Sequence, residues 1–271
     1  MEYIPNVDEA RTAVRYHMFS RYSSAYISTN ESLRTSMKLM PVNCERALVV
    51  AGSGDHPLFS SLYGAKHVDT FDISYNAKCL MDIKNIAIHC LSRSKYFKLL
   101  DGLLLAENIQ KVPNMKKVLE KLPETESEYL YSMNGCFVFN HSGGRGVHGV
   151  MGDLFQPNDK EYARLKKIVP ESYDFIWSGL DELSGLLTQT YDFIHLSNIF
   201  DYIRDPDDQT KILSDLLQHV NVGGRIVIQH LCVCPWASAP APMNVRSSKR
   251  NAKNWKFSKF YGDISMFERI R

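Results

Sequence analysis

Ala47-Leu48-Val49-Val50-Ala51-Gly52-Ser53-Gly54-Asp55 is the stretch whose reading decides the fold. Five apolar residues in succession, with no polar alternation, describe a short strand buried on both faces, as in the middle of a parallel sheet. The run ends in Gly-Ser-Gly-Asp, where glycine lets the backbone turn sharply and lets a ligand approach with no Cβ in the way. A buried strand, a glycine turn and then a helix is how an open α/β sheet begins.

The same alternation extends outward. Residues 68–73 read as a second short strand ending in acid, and residues 76–91 as a helix with Leu80, Ile83, Ala87 and Leu91 spaced for burial. Further strands are expected at 173–177, 191–196 and 225–231, with helices at 181–187 and from Asp205-Pro206-Asp207 to about His219. Asn221-Val222-Gly223-Gly224 is expected to stop that last helix, and the period-two tail 263–270 to form an antiparallel edge strand. Towards the N-terminus, residues 8–40 read as helical with a break at 22–27. Ser28-Thr29-Asn30-Glu31 has the form of a capping box, with Ser28 as N-cap and Glu31 bonding back to it, before a second helix to about Lys38. The stretch 92–167 lacks strand alternation. Its helical pieces, near 96–109 and 115–122, surround the glycine-rich run from His141 to Gly149. The organisation expected is an N-terminal helical lid segment at 1–45 and a Rossmann-like, mostly parallel α/β domain at 46–271, carrying a helical and glycine-rich insertion at about 93–167.

Composition bounds the function. With 32 Lys plus Arg against 30 Asp plus Glu, the net charge is +2, so no global field favours nucleic acid. At 44% apolar and 23% charged, the chain has globular composition. No run reaches the roughly 20 apolar residues that span a bilayer, and MEYIPNVDEA lacks a basic region followed by an apolar one, so a cytoplasmic protein is expected. The six cysteines are scattered apart from Cys232-Val-Cys234, which gives no zinc quartet, and no metal site is expected. One segment is locally basic. Arg246, Lys249, Arg250, Lys253, Lys256 and Lys259, interleaved with Trp255 and Phe257, suit RNA phosphates, an anionic membrane surface or an acidic substrate, although a solvated loop is the preferred reading.

The candidate site lies at the carboxyl ends of the strands. Ala51 to Asp55 is neither a dinucleotide fingerprint, because Pro57-Leu58-Phe59 replaces the third glycine, nor a phosphate loop, because no Gly-Lys-Ser/Thr follows. Asp72, about twenty residues on at the end of the second strand, is placed to accept both hydroxyls of a ribose, with Ile73 beside it. A nucleoside without phosphates fits this pairing, and S-adenosylmethionine is the common one. Asp181 is placed for an adenine amino group or as a helix cap, and Leu196-Ser197-Asn198-Ile199-Phe200-Asp201-Tyr202 forms a pocket edge or a strand-to-helix corner. The glycine-rich run 141–149, with His141, Arg145 and His148, reads equally as a lid or as a surface loop.

The segments Ser28-Thr29-Asn30-Glu31, Val49 to Asp55, Phe71-Asp72-Ile73 with Lys84 on the next helix, and Leu196 to Tyr202 together resemble the aminocarboxypropyl transferases related to the betaine-lipid-forming diacylglycerol enzyme. The resemblance covers roughly residues 25–100 and 170–232. It implies a sheet of the class I methyltransferase type and S-adenosylmethionine as donor of its 3-amino-3-carboxypropyl arm, with methylthioadenosine released. The family's Trp-Glu-Asp-Pro-like element is replaced here by Ser28 to Glu31, so a small polar acceptor is expected instead of diacylglycerol. Ser28, Thr29, Asn30, Ser197 and Asn198 are expected to hold the cofactor's amino-acid arm. An amine or hydroxyl acceptor must lose a proton, for which Asp201 is the expected base and Tyr202 the positioning group. Two alternatives share these residues: a methyltransferase, and a non-catalytic nucleoside sensor.

Overall fold

The computed structural model describes residues 4–16, 20–29, 31–104, 106–136, 138–140, 157–203, 205–230, 255–260 and 264–270. Its centre is a seven-stranded sheet: β1 (Arg46–Val50), β2 (His67–Asp72), β3 (Asp174–Trp177), β4 (Tyr191–His195), β5 (Val220–Gln229), β6 (Trp255–Phe260) and β7 (Ile264–Arg269). In space the order is 3-2-1-4-5-7-6. The first five strands are parallel, and β7 is antiparallel to both β5 and β6. This is a Rossmann-like sheet of the class I methyltransferase type, in which the connection from β3 crosses to β4 on the other side of β1, so that the winding reverses between β1 and β4 and leaves a crevice at the carboxyl ends of the strands.

The strands form where the apolar runs lie. Ala47, Leu48 and Val49 are wholly buried, because β1 is paired on both edges and covered on both faces. One layer packs α1 (Val7–Tyr16), α2 (Leu33–Ser36), α3 (Asp55–Tyr63) and α4 (Tyr75–Cys90) with the inserted helices α5 (Arg93–Leu103), α6 (Met115–Leu119), α7 (Glu124–Ser132) and α8 (Asp159–Ile168). The other packs α9 (Leu180–Leu186) and α10 (Pro206–Leu217). Residues 20–40 belong to the first core: Tyr22, Ile27, Leu33 and Met37 are buried in it with Val49 and Leu80. No helix among the described residues is long and apolar enough to cross a membrane.

Three expectations are corrected. The Ser28 to Glu31 capping box does not form; the helix begins at Leu33, with Ser32 at its cap position, because the Glu31 carboxylate is turned inward to buried partners. Asn221 to Gly224 does not end a helix but lies within β5. The register shifts there, and a Cβ on Gly224 would stand 3.0 Å from the Tyr191 carbonyl oxygen, so glycine permits the close strand approach of a bulge. The tail strand is antiparallel as expected but internal; the edge is β6, which the sequence reading took for a basic loop. The insertion also holds α7 and α8, the latter opened by an Asn158–Glu161 capping box. The rest of the basic segment, the 141–149 run, Cys232 and Cys234 lie outside the described residues.

Gly54 fixes the relation of β1 to α4. Its φ is +78°, and an added Cβ would sit 3.0 Å from the Met81 Cα and 3.2 Å from Lys84 Cδ. Left-handed backbone costs a residue with a side chain about 1–2 kcal/mol before any clash is counted. Gly54→Ala is therefore expected to lower stability by at least about 2 kcal/mol, read as a shift of the urea midpoint at constant slope.

Candidate functional site

Four groups of side chains lie at the carboxyl ends of β1, β2, β4 and β5. The first joins the glycine turn to the acid of β2. Asp72 Oδ2 accepts from the Gly52 amide at 2.8 Å, and Oδ1 accepts from the Ser74 amide at 2.8 Å. Each carboxylate oxygen thus keeps acceptor capacity for a ligand. Burial pushes the Asp72 carboxyl up to about 6, against the pull of those amides.

The second group is centred on Asp55 in the first turn of α3. Its Oδ2 accepts from the Thr29 amide and the Ser53 hydroxyl, both at 2.9 Å, while Lys84 Nζ donates to Oδ1 at 2.5 Å. Lys84 is fully buried, and burial outweighs Asp55 in drawing its pKa down. Thr29 and Ser53 are buried against this pair, and Ser28 and Ala51 are buried too; Asn30 lies outside the described residues.

The third group was not foreseen as a site. Glu31, from the N-terminal segment, faces His56 of α3 at 3.3 Å and accepts from the Ser197 hydroxyl. The His195 ring, from the end of β4, lies 5.2 Å from that of His56, tilted 54° to it. Burial raises the Glu31 carboxyl, but the hydrogen bond and electrostatic pull of His56, with the Ser197 hydroxyl, outweigh it and draw it below its ordinary value. Burial and the neighbouring His56 push His195 down to about 3, so its ring is neutral. Ser197 has φ +53° and gives its amide to His195 Nδ1 at 3.1 Å, which directs the residue towards Glu31. The available signal was a buried-strand histidine paired with an Asp-His after the glycine turn; Glu31 was hidden because a capping box explains the same acid.

The fourth group holds the expected base. Asp201 Oδ1 lies 2.8 Å from His230 Nδ1, and His230 Nε2 lies 3.2 Å from the buried Ser265 hydroxyl on β7. His230 follows β5 and was missed because nothing near it in sequence marks it. Tyr202 is exposed, and its hydroxyl accepts from Asn198 Nδ2 at 3.4 Å. On the far side, Asp181 curls back so that a Cβ on Gly179 would meet its Oδ1 at 2.6 Å and the Ile73 Cδ1 at 3.8 Å. The structure therefore brings Thr29, Ser53 and Asp55 together, Gly52 and Asp72 together, and Ile73 and Asp181 to one wall, while Asp201 and Tyr202 stand on the separate β4 and β5 side.

No protein-family model matches the chain, and no curated protein matches it. Among solved structures it is similar to a protein of Clostridium thermocellum provisionally named an rRNA methylase (10% identity, 90% of this chain and 98% of that one, TM-score 0.46). It is also similar to an rRNA methylase from Streptococcus thermophilus (10%, 89% and 95%, TM-score 0.42). A third likeness is to the N-methyltransferase NodS from Bradyrhizobium japonicum (8%, 88% and 92%, TM-score 0.42). The strand order, not these likenesses, carries the fold reading.

Removing the Lys84 ammonium would leave Asp55 buried with its only cationic partner among the described contacts gone. Lys84→Met is expected to destabilise the protein by about 3–5 kcal/mol, measured by urea denaturation.

Proposed function

We propose that this protein is an S-adenosylmethionine-dependent group transferase. The observation that carries the reading is the meeting of the Gly52–Gly54 turn with Asp72 at the reversal point of a 3-2-1-4-5-7-6 sheet. The residues fit the cofactor. Gly52 has positive φ and presents no side chain to a ligand, and Asp72 retains acceptor capacity for ribose hydroxyls. Asp181, beside Ile73 and Gly179, suits an adenine amino group, while Ser28, Thr29, Ser197 and Asn198 border the place of the amino-acid arm.

When bound, the cofactor supplies a sulfonium whose attached carbons are open to displacement. The chain's own residues choose the carbon by holding an acceptor in line, and take the acceptor's proton. Asp201 is the base, oriented by His230, whose Nδ1–H donates to it while Nε2 accepts from Ser265. Tyr202, at the exposed rim, positions a small polar acceptor. Methyl transfer is the reading that the sheet type supports. Transfer of the 3-amino-3-carboxypropyl arm is the second reading, favoured because the segments carrying the family resemblance, Ser28–Glu31, Ala51–Asp55 and Ser197–Tyr202, converge on one end of the sheet.

Incubation with cofactor and a cell extract, followed by separation of the nucleosides, tests both. S-adenosylhomocysteine supports methyl transfer and methylthioadenosine supports the aminocarboxypropyl reading. Cofactor bound and recovered unchanged overturns transfer and leaves a sensor. Asp201→Asn is expected to lower kcat by about 100-fold or more with cofactor Kd nearly unchanged, since it removes a base acting in the transition state.

Asp72 sets a pH dependence for binding. A ligand that donates two hydroxyls prefers the ionised carboxylate, and the free group titrates at about 6. Below that pH a proton must be displaced on binding, so cofactor affinity is expected to fall towards tenfold per unit as pH drops. Above it, affinity is flat with respect to this group. Calorimetry between pH 5 and pH 8, roughly a unit or two either side of the transition, checks this. The slope should vanish in Asp72→Asn, which should also weaken binding by about 2–3 kcal/mol.

A further inference from the structure

Glu31, His56 and His195 reach one point from three separate elements: the N-terminal segment, the first turn of α3 and the end of β4. Each offers one ligand atom, and the three atoms all lie within 4.8 Å of one another. All three residues are buried, at 1%, 3% and 0% exposure. His195 Nε2, the nitrogen that would ligate, has no hydrogen-bond partner. Buried polar atoms are nearly always satisfied, so an orphan facing two other donor groups points to a ligand.

We propose that Glu31, His56 and His195 form a binding site for a divalent transition-metal ion of the zinc, cobalt or iron(II) type. Two imidazoles and one carboxylate are the donor set of such ions, whereas magnesium and calcium require oxygen shells. Bonds of about 2.0–2.1 Å at tetrahedral angles place ligand atoms roughly 3.3 Å apart. His56 Nε2 and Glu31 Oε2 already stand at 3.3 Å, so only His195 has to close in.

A carboxylate and two imidazoles from three separate elements give the mixed oxygen and nitrogen shell that such an ion takes. Binding through His195 Nε2 needs the tautomer with its proton on Nδ1. The proton therefore moves from Nε2 to Nδ1, and the 3.1 Å contact with the Ser197 amide is exchanged for a coordinate bond. Ser197, hydrogen-bonded to Glu31, is the outer group that fixes the carboxylate. Three protein ligands leave at least one coordination position. Such an ion would lie beneath the glycine turn, where it can bind an acceptor's oxygen or nitrogen and make its proton easier to remove.

The full-length protein, stripped with a chelator and dialysed, is titrated with Co2+ under visible absorption and with Zn2+ by calorimetry. One equivalent bound at micromolar affinity or tighter is expected, with cobalt d–d bands of a four- or five-coordinate site. His56→Gln, His195→Gln and Glu31→Gln should each weaken binding by about 100-fold. For any variant that does not fold, X-ray absorption at the cobalt edge of the wild-type protein replaces it, and two imidazoles with oxygen are expected. No stoichiometric binding, binding unchanged in a folded His56→Gln/His195→Gln double variant, or a shell containing sulfur or oxygen alone overturns the site. Neither cofactor nor acceptor enters the measurement, so its outcome is independent of the nucleoside products.

Discussion

Asp55 is the constraint on which the rest of the site depends. One carboxylate at the start of α3 receives the backbone of the N-terminal segment at Thr29, the side chain of the turn at Ser53 and the ammonium of α4 at Lys84. A buried charge of this kind is tolerated only when its lone pairs are filled with good geometry, so these partners must arrive together or not at all. Their arrival sets the glycine turn against α4, and carries Glu31 inward two residues after Thr29. Everything the site offers a ligand at β1 is therefore placed by one ionic knot that itself touches none of the described catalytic groups.

Much of this architecture was legible in sequence because burial writes strongly into short strands. Ala47 to Ala51, with nothing polar in it, is explained only by a strand covered on both faces, and the pairing of its turn with Asp72 followed from position. Local signals misled where tertiary partners outbid them. Ser28 to Glu31 satisfies the capping-box pattern, yet buried His56 and the Ser197 hydroxyl compete for the same carboxylate and win. Residues 255–260 alternate like a strand, but their lysines drew attention to charge instead. His56, His195 and His230 were missed because a lone histidine carries no period, and only the fold shows what stands opposite it.

The two sides of the crevice differ in physical character. On the α3 side the polar groups are dry and closely interlocked, and ionisation states are set by burial and by neighbours. On the β4 and β5 side, Asp201 and His230 are nearer to solvent, and Tyr202 is exposed. Such a division suits a site in which one wall must be rigid and the other must admit a partner, since electrostatic preorganisation is strongest where water is excluded.

The placement of β1 between β2 and β4 has a consequence for synthesis. Its β2 edge is paired by chain that follows within a few turns, but its β4 edge waits for residues 146 positions further on. At typical translation speeds of about 5–20 residues per second, that is roughly 7 to 30 seconds. Through that interval an apolar strand on the ribosome has one row of amides and carbonyls unpaired, the kind of edge that recruits the wrong neighbour. The long helical insertion between β2 and β3 lengthens the delay, so the same topology that creates the crevice makes the nascent chain depend on protection until Tyr191 to His195 emerge.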